Sequence, residues 1–288
     1  MENYDILIIG AGAAGIAAAK AAYHAGCENI LLVDRKESMG GVLLQCAHHG
    51  FGMNLSGPEF TENLLSGFPE AILWQPNTTA LSVSRDRTAV LSGPEFGRKT
   101  VAFHQLILAT GCREIPMGAL PIAGTRPKGI YTAGQMQEMM NLHGFIPEGP
   151  VVILGSGDLG LIMAGQLAQI GLPVTLVEKK DQCGGNARNR KCLTEFPIRL
   201  ICGDTVAQVQ GDPAITGCIT ESGIALPCKT LLIAAGLRPE RELILGMEDQ
   251  DWLHICGNCN TVHDMVEAVV SEGEEAGWAA YKTIRGGL

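Results

Sequence analysis

The sequence lacks a basic run, and it lacks an uninterrupted apolar segment of membrane-spanning length. Charged residues make up 18% of the chain, and the formal net charge is −9. Because nucleic acids and anionic membrane surfaces attract basic segments, neither is expected as a partner. The apolar run Ile6–Ala19 is interrupted by three glycines, ends at Lys20 and follows Glu2 and Asp5. This run is therefore typical neither of a membrane span nor of a signal peptide, and membrane insertion is not expected.

The cysteines also lack a regular pattern, although ten are present. One C-x-x-C pair, Cys256 and Cys259, has no second pair at the spacing of zinc or iron–sulfur ligands. No metal site is therefore predicted within this chain, whereas a cluster completed by another subunit stays open. The nucleotide motifs described below favour a cytoplasmic protein, in which most cysteines are expected to be free thiols.

What is present is a globular composition and a repeated order of elements. A chain of 288 residues with 46% apolar residues is suited to two domains. A strand, a glycine turn, a helix and a second strand occur twice, which predicts two β–α–β units. The first comprises residues 4–9, 13–25 and 29–33, and the second comprises 151–154, 158–170 and 173–177.

Alternating apolar residues predict a three-stranded antiparallel meander and a closing strand after each unit. The first set comprises 78–83, 88–91, 99–103 and 106–109, and the second comprises 205–209, 215–220, 224–227 and 231–234. A long last helix is predicted from Val262 to about Thr283, and the segment Gly118–Arg126, with its glycines and prolines, is typical of a linker.

The first glycine turn has the sequence G-x-G-x-x-G, formed by Gly10, Gly12 and Gly15, with Ala13 and Ala14 between them. The first glycine permits the tight turn, the second lets the backbone approach a pyrophosphate, and the third lets the helix pack on the sheet. The helix start offers N–H groups and a positive dipole end to the phosphates. Asp34 ends the next strand, where a carboxylate can accept a ribose hydroxyl.

The second glycine turn, Gly155 to Gly160, has the same context, and its acid is Glu178. Because a carboxylate accepts a free ribose 2′-hydroxyl and repels a 2′-phosphate, NAD is favoured over NADP. The adjacent Lys179 and Lys180 oppose this preference, and the alternative is that Glu178 only ends a strand.

The order of these motifs resembles the pyridine nucleotide–disulfide oxidoreductase superfamily in its small, thioredoxin-reductase-like form. The resemblance extends to Gly40-Gly41, LILATGCREIP (Leu106–Pro116), LLIAAGLRPE (Leu231–Glu240) and ICGN (Ile255–Asn258). It implies an α/β fold with two Rossmann-like dinucleotide-binding domains and three-stranded β-meanders. The implied FAD domain comprises residues 1–117 and 240–288, and the NAD(H) domain, inserted into it, comprises 118–239.

The resemblance also implies the cofactor contacts, with the last helix directing its positive end at the flavin. For FAD these are Gly10, Gly12, Ala13, Ala14, Gly15, Asp34, Arg35, Gly41, Val42, Ala80, Ala109, Thr110, Gly111, Asn258 and Val262. For NAD(H) they are Gly155, Gly157, Asp158, Leu159, Gly160, Glu178 and Gly236.

Two departures from the superfamily bear on the activity. Asn258 stands where the family usually has aspartate, and an amide can still donate and accept hydrogen bonds. The stretch Tyr131–Gly144 has no cysteine, whereas thioredoxin reductases carry their redox pair there. Thioredoxin reductase activity is therefore disfavoured.

Two further stretches refine the resemblance. GGVLLQCAHHGFG (Gly40–Gly52) and CGNCNTVHDMVEAVVSEG (Cys256–Gly273) look like a small FAD/NAD protein that accompanies anaerobic glycerol-3-phosphate-dehydrogenase-type flavoproteins. A looser likeness exists to the FAD subunits of multi-subunit amine, proline and opine dehydrogenases. This implies a flavoprotein or iron–sulfur partner subunit, and a homo-oligomer stays open.

Two candidate catalytic residues follow the Gly40-Gly41 pair. Cys46 could exchange electrons with the flavin as a thiolate, and the alternative is an ordinary buried cysteine. His49, with its neighbour His48, could donate a proton, and the alternative is a loop histidine pair. His263 and Asp264 are expected at the start of the last helix, where Asp264 could complement the helix dipole.

The leading functional hypothesis is an FAD-dependent NAD(H) oxidoreductase that passes electrons between NAD(H) and a partner subunit or acceptor, as part of a multi-subunit dehydrogenase. One alternative is an NADH-dependent disulfide or peroxide reductase that uses Cys46. The other is a non-catalytic, flavin-containing assembly or relay subunit.

Overall fold

A computed structural model describes residues 1–286. The strands are β1 (Glu2–Ile9), β2 (Ile30–Val33), β3 (His49–Phe51), β4 (Leu55–Ser56), β5 (Leu73–Gln75), β6 (Thr79–Ser84), β7 (Thr88–Gly93), β8 (Gly97–Leu108), β9 (Cys112–Glu114), β10 (Ala123–Gly124), β11 (Ile130–Thr132), β12 (Val151–Leu154), β13 (Val174–Glu178), β14 (Arg199–Cys202), β15 (Val206–Gln210), β16 (Gly217–Thr220), β17 (Ala225–Pro227), β18 (Thr230–Ile233), β19 (Leu237–Pro239) and β20 (Leu253–Ile255). The α-helices are α1 (Ala13–Ala25), α2 (Gly57–Leu65), α3 (Ala133–His143), α4 (Asp158–Gln169), α5 (Cys192–Glu195) and α6 (Val266–Gly286). Short 3₁₀ helices span Gly41–Gln45, Met117–Ala119, Asn189–Lys191, Glu242–Ile244 and Gly257–Cys259.

The chain forms two compact units, and the second is inserted into the first. Unit 1 comprises residues 1–113 and the segment from Arg238 onward, and unit 2 comprises Glu114–Leu237. The chain therefore leaves unit 1 after Arg113 and returns at Arg238, whereas the sequence placed these crossings after residues 117 and 239.

Unit 1 is built on a sheet in the order β5-β2-β1-β8-β7-β6, with β20 also paired to β8. The sequence predicted 99–103 and 106–109 as separate strands, but they belong to one strand, β8, which ends at Leu108. The physical reason is continuous pairing: β8 follows β1 in parallel from Val101 to Leu108. Its first half also pairs antiparallel with β7, and its last residues pair in parallel with β20. One strand thus joins the antiparallel meander to the parallel part of the same sheet.

Helices α1 and α6 both pack against the sheet and against each other, and small residues allow the close approach of the two helices. Its buried face is largely alanine, including Ala14, Ala18 and Ala22. On the facing helix, a side chain at Gly273 would overlap the carbonyl oxygen of Ala14, and one at Gly277 would overlap that of Ala18. The two helices therefore pack backbone to backbone, which fixes the start of α1 against α6.

Unit 2 contains a parallel sheet in the order β11-β18-β12-β13-β14 and a second sheet in the order β10-β15-β16-β17. The side chains of successive residues in a strand point to opposite faces of the sheet. A strand that is buried on both faces therefore contributes side chains to two hydrophobic cores. On β12, Val151 and Ile153 pack in the cluster that includes Met136 of α3. Val152 and Leu154 pack in the cluster formed with the meander.

The segment Gly118–Arg126, which its glycines and prolines suggested as a linker, is built into unit 2. Its residues Ala123 and Gly124 form β10 and pair in parallel with Gln208 and Val209 of β15. The adjacent Ile122 is buried in the meander core. Backbone pairing and burial of this apolar side chain thus outweigh the local turn composition.

The last helix, α6, begins at Val266, four residues after the predicted start at Val262. Local hydrogen bonds explain the difference, because the side chain of Asn258 accepts the backbone N–H of His263 at 3.0 Å. The His263 ring in turn contacts the Glu272 carboxylate at 2.8 Å. These bonds hold the chain before Val266 in a non-helical conformation. Within residues 1–286, none of the helices has both the length and the apolar character needed to span a bilayer.

Candidate dinucleotide-binding sites

The first glycine turn joins β1 to α1 and leaves the helix start accessible. Gly10 has a φ of 108°, and a side chain there would overlap the carbonyl of Ala109. A side chain at Gly15 would overlap the carbonyl of Gly10. At Gly12, the N-terminal cap of α1, an added Cβ would by contrast meet no atom within 4 Å, and no cap side chain binds the N–H groups of the helix start. The N–H groups at the start of α1 are therefore open to an anion.

Asp34 is held beside this turn by backbone hydrogen bonds. Its Oδ2 accepts the N–H of Ala11 at 2.7 Å, and its Oδ1 accepts the N–H of Lys36 at 2.8 Å. Each carboxylate oxygen retains a further lone pair, so the fixed acid can still accept a ribose hydroxyl. Arg35, which follows it, is exposed.

The segment 40–42 also approaches the first turn. The N–H of Gly40 donates to the carbonyl of Ala11 at 2.8 Å. An added Cβ at Gly41 would lie 3.0 Å from the Cα of Gly12, and Val42 beside it is exposed. The sequence-predicted Gly41 and Val42 thus border the space in front of Gly12.

The predicted residues Ala109, Thr110 and Gly111 directly follow β8. Ala109 is buried against the glycine turn, and the Thr110 hydroxyl donates to the carbonyl of Glu240 at 2.7 Å. Gly111 has a φ of 75° and open space at its Cβ position. Ala80 lies on β6 and packs against the unit 1 core.

The turn Cys256–Asn260 contacts the first turn of α1. An added Cβ at Gly257 would lie 2.7 Å from the Cβ of Ala14. Asn258 Oδ1 accepts a hydrogen bond from the backbone N–H of His263. Val262 and Asp264 precede α6, so the predicted helix start at these residues is wrong, and the positive end of α6 begins at Val266 instead.

The second glycine turn reproduces the first. Gly155 has a φ of 105°, and a side chain there would overlap the carbonyl of Ala234. A side chain at Gly160 would overlap the carbonyl of Gly155. At Gly157, the N-terminal cap of α4, an added Cβ would again meet no atom within 4 Å, and no side chain caps the helix.

Glu178 ends β13 and is buried beside this turn. Its Oε2 accepts the N–H and the hydroxyl of Ser156 at 2.8 and 2.7 Å, and its Oε1 accepts the N–H of Lys180 at 3.0 Å. Burial raises the pKa of Glu178, but these hydrogen bonds outweigh burial and bring its pKa below the usual glutamate value. The acid is therefore a carboxylate at neutral pH.

The remaining predicted residues of unit 2 have distinct environments. Asp158 is the first residue of α4, and Leu159 packs against the core beneath that helix. Gly236 has a φ of 111°, and its carbonyl accepts the N–H of Ile115 at 3.0 Å.

Glu114 has a role that no sequence pattern indicated. Its carboxylate accepts the Thr132 hydroxyl and the N–H groups of Gly134 and Gln135, the latter two at 2.7 and 3.2 Å. It thereby occupies the start of α3, in the stretch that lacks cysteine. Next to it, a cavity of about 300 Å³ lies at the ends of β11 and β18 and is lined by Tyr131, Thr132, Gln135, Arg126, Met117 and Ile233.

The two candidate catalytic residues have contrasting exposure. Cys46 is buried, its thiol donates to the Val42 carbonyl at 3.3 Å, and burial raises its pKa to about 12. A thiol with this pKa is protonated at neutral pH, which weakens the interpretation of Cys46 as a thiolate. His49 is exposed at the start of β3, and the ring of His48 lies 5.2 Å from that of Phe51.

The C-x-x-C cysteines lie in the core. Cys256 and Cys259 are buried, and the Cys259 thiol donates to the Leu108 carbonyl at 3.1 Å. Burial raises the pKa of Cys256. Within residues 1–286, His, Cys, Asp and Glu form no group of three that could hold a metal ion.

The sequence profile named pyridine nucleotide-disulphide oxidoreductase matches residues 4–264. The chain belongs to this family. Its members and thioredoxin-reductase-like neighbours bind FAD and NAD(P), and the open glycine turns and fixed acids of both units fit adenine dinucleotides. The confirmed fold is the two-domain Rossmann type of these proteins.

Similar proteins fall into two groups. An opine oxidase subunit of Agrobacterium tumefaciens (strain Ach5) is 30% identical over 183 residues, which cover 60% of this chain and 36% of that protein. The epsilon subunit of NADH-dependent phenylglyoxylate dehydrogenase of Aromatoleum evansii is 26% identical over 196 residues, 65% of this chain and 43% of that protein. The chain thus spans less than half the length of either relative. Thioredoxin reductase of T. acidophilum shares the fold with a TM-score of 0.79 and 17% identity, and the match covers 99% of this chain and 100% of that protein.

Proposed function

We propose that the chain is an FAD-dependent NAD(H) oxidoreductase that exchanges electrons with a partner subunit or acceptor. The observation that carries the proposal is the equivalence of the two glycine turns. Each turn has an N-terminal cap glycine open to a ligand, and each has an acid held by the backbone. In this proposal, unit 1 binds FAD and unit 2 binds NAD(H). When bound, the two cofactors supply the electron transfer.

The residues of the chain bind and orient the cofactors. The starts of α1 and α4 donate backbone N–H groups to the pyrophosphates, while Asp34 and Glu178 accept ribose hydroxyls. Because Glu178 is ionised, it repels a 2′-phosphate, which favours NAD(H) over NADP(H).

The absence of cysteine from residues 131–144 supports an electron acceptor other than thioredoxin. Glu114 and Thr132 form hydrogen bonds at the start of α3 in that stretch. The opine oxidase and phenylglyoxylate dehydrogenase relatives are components of larger enzymes by name. These likenesses support a partner subunit, for which we propose a flavoprotein or an iron–sulfur protein.

An anaerobic titration tests the proposed reaction. The purified, FAD-loaded protein is titrated with NADH and, in parallel, with NADPH, and the flavin absorbance is recorded. We expect stoichiometric loss of the flavin band with NADH and a weaker response to NADPH. A flavin that neither nucleotide reduces would contradict the proposal and favour the relay-subunit alternative. Affinity purification at native expression, followed by mass spectrometry of co-purifying flavin or iron–sulfur proteins, tests the subunit role.

A further inference from the structure

The loop that follows the acid is repeated in the two units. In each, a lysine lies two residues after the acid, and a pair of glycines lies six and seven residues after it. These residues are Asp34, Lys36, Gly40 and Gly41 in unit 1 and Glu178, Lys180, Gly184 and Gly185 in unit 2. Both loops return to their glycine turn, because Gly40 donates to the Ala11 carbonyl at 2.8 Å and Gly184 donates to the Ser156 hydroxyl at 2.8 Å.

The two copies differ at the first residue of the following helix. Unit 1 has Ala13 at this position, and unit 2 has Asp158. A carboxylate is stabilised at a helix N-terminus by the same N–H groups and dipole that bind a pyrophosphate. An unrestrained Asp158 side chain would therefore compete with, and repel, a dinucleotide pyrophosphate at this site.

The loop of unit 2 binds this carboxylate. Asp158 Oδ1 accepts the backbone N–H of Asn186 at 2.8 Å and the side-chain amide of Asn189 at 2.7 Å. Asn189 is itself held, because its backbone N–H donates to Asn186 Oδ1 at 3.0 Å. At the equivalent sequence positions after its acid, Asp34, unit 1 has Val42 in place of Asn186 and Gln45 in place of Asn189. The copy that carries the carboxylate therefore also carries the asparagines that bind it.

We propose that Asn189 is a positioning residue for the second dinucleotide site. It retains the Asp158 carboxylate on the loop, so that the N–H groups behind Gly157 stay available to the pyrophosphate of NAD(H). The inference rests on the proposed binding of NAD(H) by unit 2. It adds that a side chain with no direct contact to the nucleotide sets its affinity, through the charge of Asp158.

Anaerobic equilibrium titration with NADH of protein whose FAD has first been reduced chemically, followed by nucleotide fluorescence, tests the inference, because a reduced flavin cannot oxidise NADH. We expect Asn189→Ala to weaken NADH binding about tenfold, since a released like charge opposes the pyrophosphate. Added salt should reduce this defect because it screens the repulsion. Asp158→Asn in the Asn189→Ala background should restore affinity to within about twofold of Asp158→Asn alone. Gln182→Ala, an exposed change in the same loop, is the matched control and should leave affinity unchanged.

The outcomes separate this inference from the proposed function. If the wild type does not bind NADH, the proposed function fails and the inference fails with it. If the wild type binds NADH and Asn189→Ala binds it equally well, only the inference is overturned. A defect in Asn189→Ala that Asp158→Asn does not relieve would also overturn it, because the loop would then act through its structure rather than through the Asp158 charge.

Discussion

The carboxylate of Glu272 accepts a hydrogen bond from the backbone N–H of Gly257 at 2.8 Å, across fifteen residues of sequence. The same side chain contacts Asn260 Nδ2 at 3.4 Å and the ring of His263 at 2.8 Å. One residue of α6 thus holds two points of the turn that packs against Ala14, next to the first glycine motif, and one point of the segment that follows this turn. The geometry of this proposed FAD contact depends on a residue outside the motif.

We therefore predict that Glu272→Ala weakens FAD binding about tenfold. The reason is that the Gly257 N–H loses its acceptor, and an unsatisfied buried N–H costs about 1–3 kcal/mol. FAD affinity is measured by fluorescence titration of the apoprotein, with circular dichroism as a check of folding. Glu275→Gln, an exposed change on the same helix, is the control. Unchanged FAD affinity in a folded Glu272→Ala variant would show that the turn does not need this acceptor.

Much of the fold could be predicted because local signals and long-range packing agree. The helix predicted over Ala13–Ala25 is confirmed with the same bounds. Its alanines suit both helix formation and close packing on the sheet and α6. The strand Val151–Leu154 is likewise confirmed, because four buried apolar residues follow one another between turn signals.

The sequence could not predict features that depend on distant partners. Helix α6 begins at Val266 rather than at the predicted Val262, because Asn258 and Glu272 bind His263 in the intervening segment. Glu114 binds the start of α3 about twenty residues away, and the pattern of apolar and polar residues does not predict such a contact. The binding of Asp158 by Asn189 is of the same kind, since only the folded loop brings the two side chains together.

The buried position of Cys46 leads to a prediction about its chemistry. Because burial raises its pKa to about 12, the thiol is protonated at neutral pH and is a poor nucleophile. Serine can make the same hydrogen bond to the Val42 carbonyl. We expect Cys46→Ser to keep the turnover rate within about twofold, as measured by steady-state NADH oxidation with an artificial acceptor, a disulfide or a peroxide. A loss greater than about tenfold with FAD retained would instead support the disulfide or peroxide reductase alternative.

The stability of unit 2 should depend on pH through Asp204. Its side chain is buried, which raises its pKa. Hydrogen bonds from the Ser222 and Thr220 hydroxyls, and from the Thr205 and Ser222 backbone, outweigh burial and lower the pKa to about 2. Since the folded-state pKa is depressed, this carboxylate stabilises the fold above the unfolded-state pKa of about 3.9. The contribution is lost as the pH falls toward about 2.

We predict that Asp204→Asn lowers the free energy of unfolding at pH 7, and that the difference from the wild type shrinks as the pH falls from about 4 to about 2. Urea denaturation at a series of pH values measures this difference. Glu221→Gln, an exposed change in the same hairpin, serves as the control. A difference that stays constant down to about pH 2 would mean that the charge of Asp204 does not stabilise the fold.

The hydrogen bonds of Glu178 give the sharpest test of nucleotide preference. The carboxylate is ionised and fixed by Ser156 and Lys180, and the exposed Lys179 and Lys180 side chains follow it. In the wild type, the carboxylate accepts a ribose hydroxyl and repels a 2′-phosphate. Glu178→Gln removes the repulsion, while its amide cannot accept all of the hydrogen bonds that the carboxylate accepts. We therefore expect NADH affinity to fall and NADPH affinity to rise, each about three- to tenfold.

Parallel anaerobic titrations of wild type and Glu178→Gln, with FAD first reduced chemically so that neither nucleotide is oxidised, measure the NADH and NADPH affinities. Glu195→Gln, an exposed change elsewhere in unit 2, is the control. The direction of the two shifts matters more than their size. If both affinities fall together, the substitution has disturbed the glycine turn through Ser156, and the preference has another origin. If they move in opposite directions, the negative charge at the end of β13 selects the nucleotide, because a loss of structure alone cannot tighten NADPH binding.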